Sequence, residues 1–118
     1  MAKINVAEVV VTRRGELVAS AEVSRRGIHR LVANSRMVVL ELSRGLDFAM
    51  DLDALPDGVL GITLGFKDRF VGIEKKRMGV TASVYWMGRG DVSITTDDGS
   101  VKVVVKWREV EEEEASPA

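Results

Sequence analysis

The sequence predicts an all-β domain: a small closed or partly open β-barrel, OB-like in type, of about eight or nine short antiparallel strands joined by tight turns. Three observations support this prediction. Apolar and polar residues alternate with a period of two along most of the chain. Glycine-containing turn motifs separate the alternating segments, and no segment has a convincing helical pattern over about ten residues. Closure into a barrel would also protect the long valine-rich strands from pairing at an exposed edge.

The alternation places strands at residues 4–12, 17–23, 37–43, 46–53, 59–66, 69–75, 80–87, 91–96 and 100–110. The clearest is 46–53, where the apolar residues at even positions face inward and the aspartates face outward. In the first strand Val9, Val10 and Val11 run together, which predicts burial on both faces or a bulge. Segment 26–35 is ambiguous between a short amphipathic turn, an irregular link and another strand.

Tight turns are predicted where glycine can supply a positive φ. The motifs are "RRGE" at 13–16, "SRG" at 43–45, "PDG" at 56–58, "MGRGD" at 87–91 and "DDGS" at 97–100. Each lies between two alternating segments, so the strands are expected to pair as antiparallel hairpins.

With 118 residues, the chain is expected to form one domain with its own core. Residues 1–108 are predicted to form the barrel and residues 109–118, which include five glutamates, a disordered acidic tail. Without the tail, seventeen basic residues face thirteen acidic ones, a net charge of +4. Two roles are open for this tail. It either increases solubility or acts as an intramolecular mimic of a polyanion that covers a basic face.

The composition argues against several classes of protein. The chain has no cysteine and a single histidine, His29, so thiol catalysis, histidine-rich zinc sites and an ordinary Ser-His-Asp triad are not expected. No catalytic residue, metal site or cofactor is predicted. The lack of a membrane-spanning apolar run and of a signal-peptide pattern predicts a cytoplasmic protein. Many charges, no glutamine and only two asparagines are typical of thermophile proteins.

Basic residues concentrate at the predicted turns, and a shared rim of such turns would bind nucleic acid through its phosphates. The candidates for nucleic-acid binding are Arg13, Arg14, Arg25, Arg26, Lys75, Lys76 and Arg77, with Lys67, Arg69 and Arg89 also at turns. Tyr85, if exposed, would stack on a base. The alternative interpretation is an ordinary charged surface on solvated turns.

Two stretches resemble the small eighth subunit of archaeal and eukaryotic RNA polymerases. In "DFAMDLDALPDGVLGITLG" at 47–65, an aromatic, a Met-Asp-Leu strand and a strand ending in small residues match the family pattern. The matching positions are Phe48, Met50, Asp51, Leu52, Ile62, Leu64 and Gly65. "VYWMGRGDVSI" at 84–94 is similar to the family's paired aromatics followed by two glycines, here Tyr85, Trp86, Gly88 and Gly90. The chain departs from the pattern at Arg89, which splits the glycines, and at Asp91.

This resemblance implies an OB-like barrel that is a non-catalytic structural subunit of an archaeal-type DNA-directed RNA polymerase, with the largest subunit as partner and no small-molecule substrate. Tyr85, Gly88, Arg89 and Gly90 would form the docking hairpin, and Trp86 would hold it from inside the barrel. The alternatives are a free-standing OB-type module that binds single-stranded nucleic acid and an interaction domain of another assembly.

Overall fold

The structure is a computed structural model. It describes residues 3–34, 38–43, 47–55, 57–87, 90–96 and 99–111, with the backbone alone at 38–43 and 47–48. Over these residues the chain is all β, as predicted, and contains ten strands and no helix. The strands are β1 (Lys3–Arg13), β2 (Glu16–Ser24), β3 (Gly27–Ala33), β4 (Val38–Ser43), β5 (Asp47–Leu55), β6 (Gly58–Gly65), β7 (Phe70–Arg77), β8 (Val80–Trp86), β9 (Val92–Thr95) and β10 (Val101–Glu111).

The strands form two five-stranded antiparallel sheets. One has the order β3-β2-β1-β10-β9 and the other β4-β5-β6-β7-β8. Consecutive strands pair as hairpins within each sheet, and the first strand pairs with the last from Lys3–Glu111 to Arg13–Val101. Among the described residues no pairing joins β3 to β4 or β8 to β9, so neither sheet closes into a barrel. The predicted antiparallel hairpins are therefore confirmed, whereas barrel closure is not observed.

The core lies between the two sheets. Val9, Ala21 and Val103 from the first sheet are almost fully buried in one cluster with Leu52 and Ile62 from the second. Along each strand these side chains alternate with residues on the outer face of the sheet, as a sandwich of two sheets requires. The inward residues predicted for 46–53 and 59–66 are buried wherever their side chains are described. The buried residues of this cluster come from β1, β2, β5, β6, β7, β9 and β10 and from the β6–β7 turn.

Strand β1 is buried on both faces and is also bulged. Val9 and Val11 face the core, while Ile4 and Val6 on the opposite face are covered with help from Val110. The pairing of β1 with β2 shifts register between Val11 and Thr12. The bulge expected at the valine run is therefore observed, whereas the second buried face lies at Ile4 and Val6 and not at Val10, which is half-buried.

One boundary differs from the predictions, and one ambiguous segment is resolved. Strand β10 continues to Glu111, so the predicted division at residue 108 falls inside a strand. Because Glu109, Val110 and Glu111 pair with Asn5, Ile4 and Lys3, these three residues belong to the sheet. The ambiguous segment 26–35 contains strand β3, which pairs with β2. The chain through Glu111 has seventeen basic and fifteen acidic residues, a net charge of +2 rather than +4.

Successive hairpin turns alternate between the two ends of the sandwich. Arg13 and Arg14 line a cleft with Asp53 of β5, which places the β1–β2 turn at the same end as the end of β5. Lys3 and Arg25 line another cleft with Lys67, which places the β2–β3 and β6–β7 turns together at the other end. We refer to these as the Arg14 end and the Arg25 end.

Candidate functional site: an exposed edge strand and a basic cleft

Strand β8 is an exposed apolar edge. It pairs with β7 on one side, and on the other side no described strand pairs with it. All seven of its residues are exposed. We define the β8 strip as its large apolar side chains with those of the flanking residues, namely Met78, Val80, Val84, Tyr85, Trp86 and Met87. Strand β8 has no charged residue, although charges on edge strands commonly discourage pairing with other chains.

The strip is exposed because the opposite sheet does not cover it. Val84 pairs with Ile73 and lies on the same, core-facing side of the sheet. Ile73 is buried, yet Val84 is 48% exposed. The facing strand β9 has only four residues, and its Ile94 meets Val84 across a slot of about 60 Å³. The inward side of β8 therefore remains half open to solvent.

The other side of β8 carries an ordered aromatic pair. The ring of Tyr85 stacks on that of Phe70 in β7, with centroids 5.7 Å apart and planes inclined by 23°. Gly72 is opposite Tyr85 in the pairing, and its missing side chain leaves space for the ring. Tyr85 is nevertheless 59% exposed, so a fixed aromatic surface faces outward. Rigid tyrosine faces are common anchors in protein interfaces.

The predicted docking residues are only partly described. Tyr85 is exposed and Gly90 is exposed, as docking requires. Gly88 and Arg89 lie outside the described residues. Trp86 was expected inside the barrel; its parity is inward, but it is 47% exposed, and no described strand pairs with the open side of β8. The expectation of an interior Trp86 is therefore wrong, and Trp86 belongs to the accessible strip.

The basic residues predicted to share one rim are divided between both ends. Arg13 and Arg14 line an open cleft of about 610 Å³ at the Arg14 end. Glu16 and Asp53 line the same cleft, so its charge is mixed. Arg25 and Arg26 lie at the opposite end, in the turn between β2 and β3.

Lys76 and Arg77 are engaged with acids of their own sheet. The Lys76 ammonium lies 3.7 Å from a Glu74 carboxylate oxygen and 4.0 Å from one of Asp51. Arg77 Nε lies 3.2 Å from an Asp57 carboxylate oxygen. Exposed pairs of this kind add little stability, but each carboxylate offsets the local positive charge. Lys75, the third predicted residue of this segment, is half-buried near the slot beside β8.

The basic cleft at the Arg25 end has a different lining. Its volume is about 310 Å³, and it is lined by Lys3, Ile4, Asn5, Arg25, Phe66 and Lys67. Arg26, which follows Arg25 in the β2–β3 turn, is exposed. The contribution of Lys3 was not predicted because Lys3 lies in a strand rather than a turn. The alternation of turns in a meander is the sequence signal that could have grouped Arg25 with Lys67.

Within the described part of the chain, no group of three or more histidine, cysteine, aspartate or glutamate residues is arranged to hold a metal ion. No helix there has the length and apolar character needed to cross a membrane.

Comparison of the chain with protein-family models, curated proteins and solved structures finds no match. The similarity to the small polymerase subunit therefore rests on the sequence stretches alone and stays a prediction.

Proposed function

We propose that the chain is a non-catalytic docking module that binds a protein partner through the β8 strip and the turn that follows it. The observation that carries the proposal is the exposure of large apolar side chains on both faces of an uncharged edge strand. Contiguous apolar surface of this kind on a soluble domain commonly marks a site of protein interaction.

The composition of the strip also favours a protein partner. Tyrosine, tryptophan and methionine are enriched in protein interfaces, and Tyr85, Trp86 and Met87 are consecutive here. The backbone on the open side of β8 can also accept an extended strand, since its outward N–H and C=O groups have no described strand beside them. A partner that pairs with the edge and covers Val84 and Trp86 would extend the apolar core.

The more specific form of the proposal is a structural subunit of an archaeal-type RNA polymerase that docks on the largest subunit. The resemblance at 47–65 and 84–94 supports this form, together with the exposure of Tyr85 in the second stretch. In this form the two sheets would correspond to a flattened OB-like barrel, opened between β3 and β4 and between β8 and β9. The partner would approach closely at Gly88 and Gly90, where no side chain stands in the way.

The test is affinity purification of the tagged protein from its native cells with a high-salt wash, followed by mass identification of the retained chains. We expect the large polymerase subunits in near-equal amounts, and at least a tenfold lower yield with Val84→Lys. Val32→Lys is the matched control, because Val32 is 45% exposed on the edge strand β3 of the other sheet. The docking proposal fails if no protein is retained or if both variants lower the yield equally. If other proteins are retained and Val84→Lys lowers their yield, the docking proposal stands and only the assignment to RNA polymerase fails.

A further inference from the structure

We propose that the basic cleft at the Arg25 end binds the phosphate groups of a nucleotide or of single-stranded nucleic acid. This activity is separate from protein docking and uses a different surface. It is carried by the convergence of Lys3, Arg25 and Lys67 around one concavity. The three cations come from the start of β1, the β2–β3 turn and the β6–β7 turn, which the fold brings together at one end.

The charge of the cleft is of one sign. No carboxylate is among the described residues that line it. Asp68 neighbours Lys67 in the turn and Glu111 is opposite Lys3 in the pairing of β1 with β10, but neither lines the cleft. The Arg14 end differs, because Glu16 and Asp53 line its cleft. Several like charges in one concave site focus the potential that attracts an anion.

The turn that carries Lys67 is fixed in place by Asn5. The Asn5 side-chain amide donates a hydrogen bond to the Phe66 carbonyl oxygen at 2.8 Å. The amide oxygen accepts a hydrogen bond from Arg69 Nε at 3.0 Å. One side chain of β1 thus holds both sides of the β6–β7 turn, and Lys67 is presented from a rigid base. Rigidity before binding reduces the entropy lost when a ligand is bound.

The turn that carries Arg25 is fixed by Ser24. The Ser24 hydroxyl is fully buried and accepts a hydrogen bond from the Arg26 backbone N–H at 3.1 Å. It also lies 2.7 Å from His29 Nε2, which ties the turn to β3. Because both turns are held by buried or half-buried polar groups, the separation of the cations does not depend on flexible loops.

The size and floor of the cleft indicate the class of ligand. Ile4 and Phe66 line it and are almost fully buried, so its floor is apolar. Its volume of about 310 Å³ is at the lower limit of sites that bind small organic molecules. A bare phosphate would fill only part of this space, whereas one nucleotide unit offers a phosphate for the cations and a ring for the apolar floor.

The test is fluorescence anisotropy of a labelled oligothymidine of about twelve nucleotides, titrated with the purified full chain. If the three cations each contact a phosphate, the affinity should fall about twentyfold between about 50 and 200 mM salt. Lys67→Gln should weaken binding about five- to tenfold and reduce the slope of log affinity against log salt by about 0.7. Lys102→Gln is the matched control, since Lys102 is an exposed lysine of β10 that does not line the cleft.

The same titration is repeated with a second version of the full chain that carries Glu112→Gln, Glu113→Gln and Glu114→Gln. These residues follow Glu111, which pairs with Lys3, and three residues span at most about 11 Å. They can therefore compete with an added anion. If thymidine triphosphate displaces the oligothymidine, a free nucleotide is a sufficient ligand. If it does not, the cleft requires single-stranded nucleic acid. Failure of both versions to bind, or equal weakening by Lys67→Gln and Lys102→Gln, would overturn the proposal without affecting the docking proposal.

Discussion

Tyr85 and Phe70 stack across β8 and β7 directly above Gly72, with their ring centroids 5.7 Å apart. A Cβ atom at Gly72 would lie 3.0 and 3.1 Å from two carbons of the Tyr85 ring and 3.2 Å from a carbon of Phe70. The glycine therefore leaves the space that the two stacked rings occupy. This stacking fixes the orientation of the Tyr85 ring, which carries the only hydroxyl group of the β8 strip.

Gly72→Ala is expected to displace the Tyr85 ring and to lower the free energy of unfolding by about 1–2 kcal/mol, the usual cost of overpacking. The loss should become smaller when Tyr85 is also changed to alanine, because the two closest contacts are then gone and only the Phe70 contact at 3.2 Å remains. Urea denaturation of the single and double variants measures the coupling. Equal losses in both backgrounds would show that the strain does not involve Tyr85.

The two tryptophans should differ in their contributions to stability. Trp107 packs against the core and meets Phe66 edge-on, with centroids 6.3 Å apart and planes at 81°. Trp107→Ala should cost about 3 kcal/mol, whereas Trp86→Ala should cost only about 1–2 kcal/mol because half of its ring is already in water. Denaturation followed by circular dichroism tests this order. A larger loss for Trp86 than for Trp107 would mean that β8 is covered in solution.

The alternation of the sequence predicted the inward residues well but not how far they are covered. Met50, Leu52, Ile62 and Leu64 are buried as predicted, because strands β5 and β6 lie in the middle of their sheet. Trp86 has the same parity and is half exposed. Alternation reports the face on which a side chain lies, whereas coverage depends on the length and position of a strand in the other sheet. At Val84 the short facing strand β9, of four residues, leaves the side chain half exposed.

The basic cleft was likewise only partly predictable. Arg25 and Lys67 could be identified as turn residues, but their shared end depends on the alternating direction of ten strands. Lys3 reaches that end through the β1–β2 hairpin, in which Val6 pairs with Ser24, the residue before Arg25. Lys67 lies in a turn of the other sheet, and no local pattern shows how the two sheets face each other. The clustering of these cations is therefore a property of the fold.

Arg89 lies outside the described residues, and its predicted role in docking can be tested directly. Arg89→Glu should lower the recovery of the protein partner and leave the melting temperature unchanged, because the hairpin residue is expected to contact the partner and not the core. Affinity purification and thermal melting of the same protein measure both. An unchanged yield of partner would remove Arg89 from the interface.

Asn5 should matter far more for stability than Asn34, the only other asparagine. Asn5→Ala leaves the part-buried Phe66 carbonyl without its donor and should cost about 1–3 kcal/mol. Asn34 also donates its side-chain amide to a carbonyl, that of Leu17 at 3.1 Å, but this bond is exposed to water. Asn34→Ala should therefore cost less than about 1 kcal/mol. Similar losses in urea denaturation would contradict the role given to Asn5.

The position of the C-terminal boundary can be tested with two truncated proteins. Truncation after Glu111 should leave the free energy of unfolding unchanged, because β10 ends there. Truncation after Arg108 removes Val110, which covers Ile4 and Val6, and the three residues that pair with Lys3, Ile4 and Asn5. The expected loss is about 2 kcal/mol, since a partly buried valine and the end of a strand pair are removed.

The same two proteins distinguish the tail from the sheet in anion binding. Truncation after Glu111 removes the three competing glutamates but keeps Asn5 and its turn in place, so affinity for the oligothymidine should rise. Truncation after Arg108 should raise it less, because β1 loses its partner beside Lys3 and Asn5 and the cleft loses its rigid base. If the shorter protein is as stable as the longer one and binds as tightly, residues 109–111 belong to the tail and the boundary at residue 108 is correct.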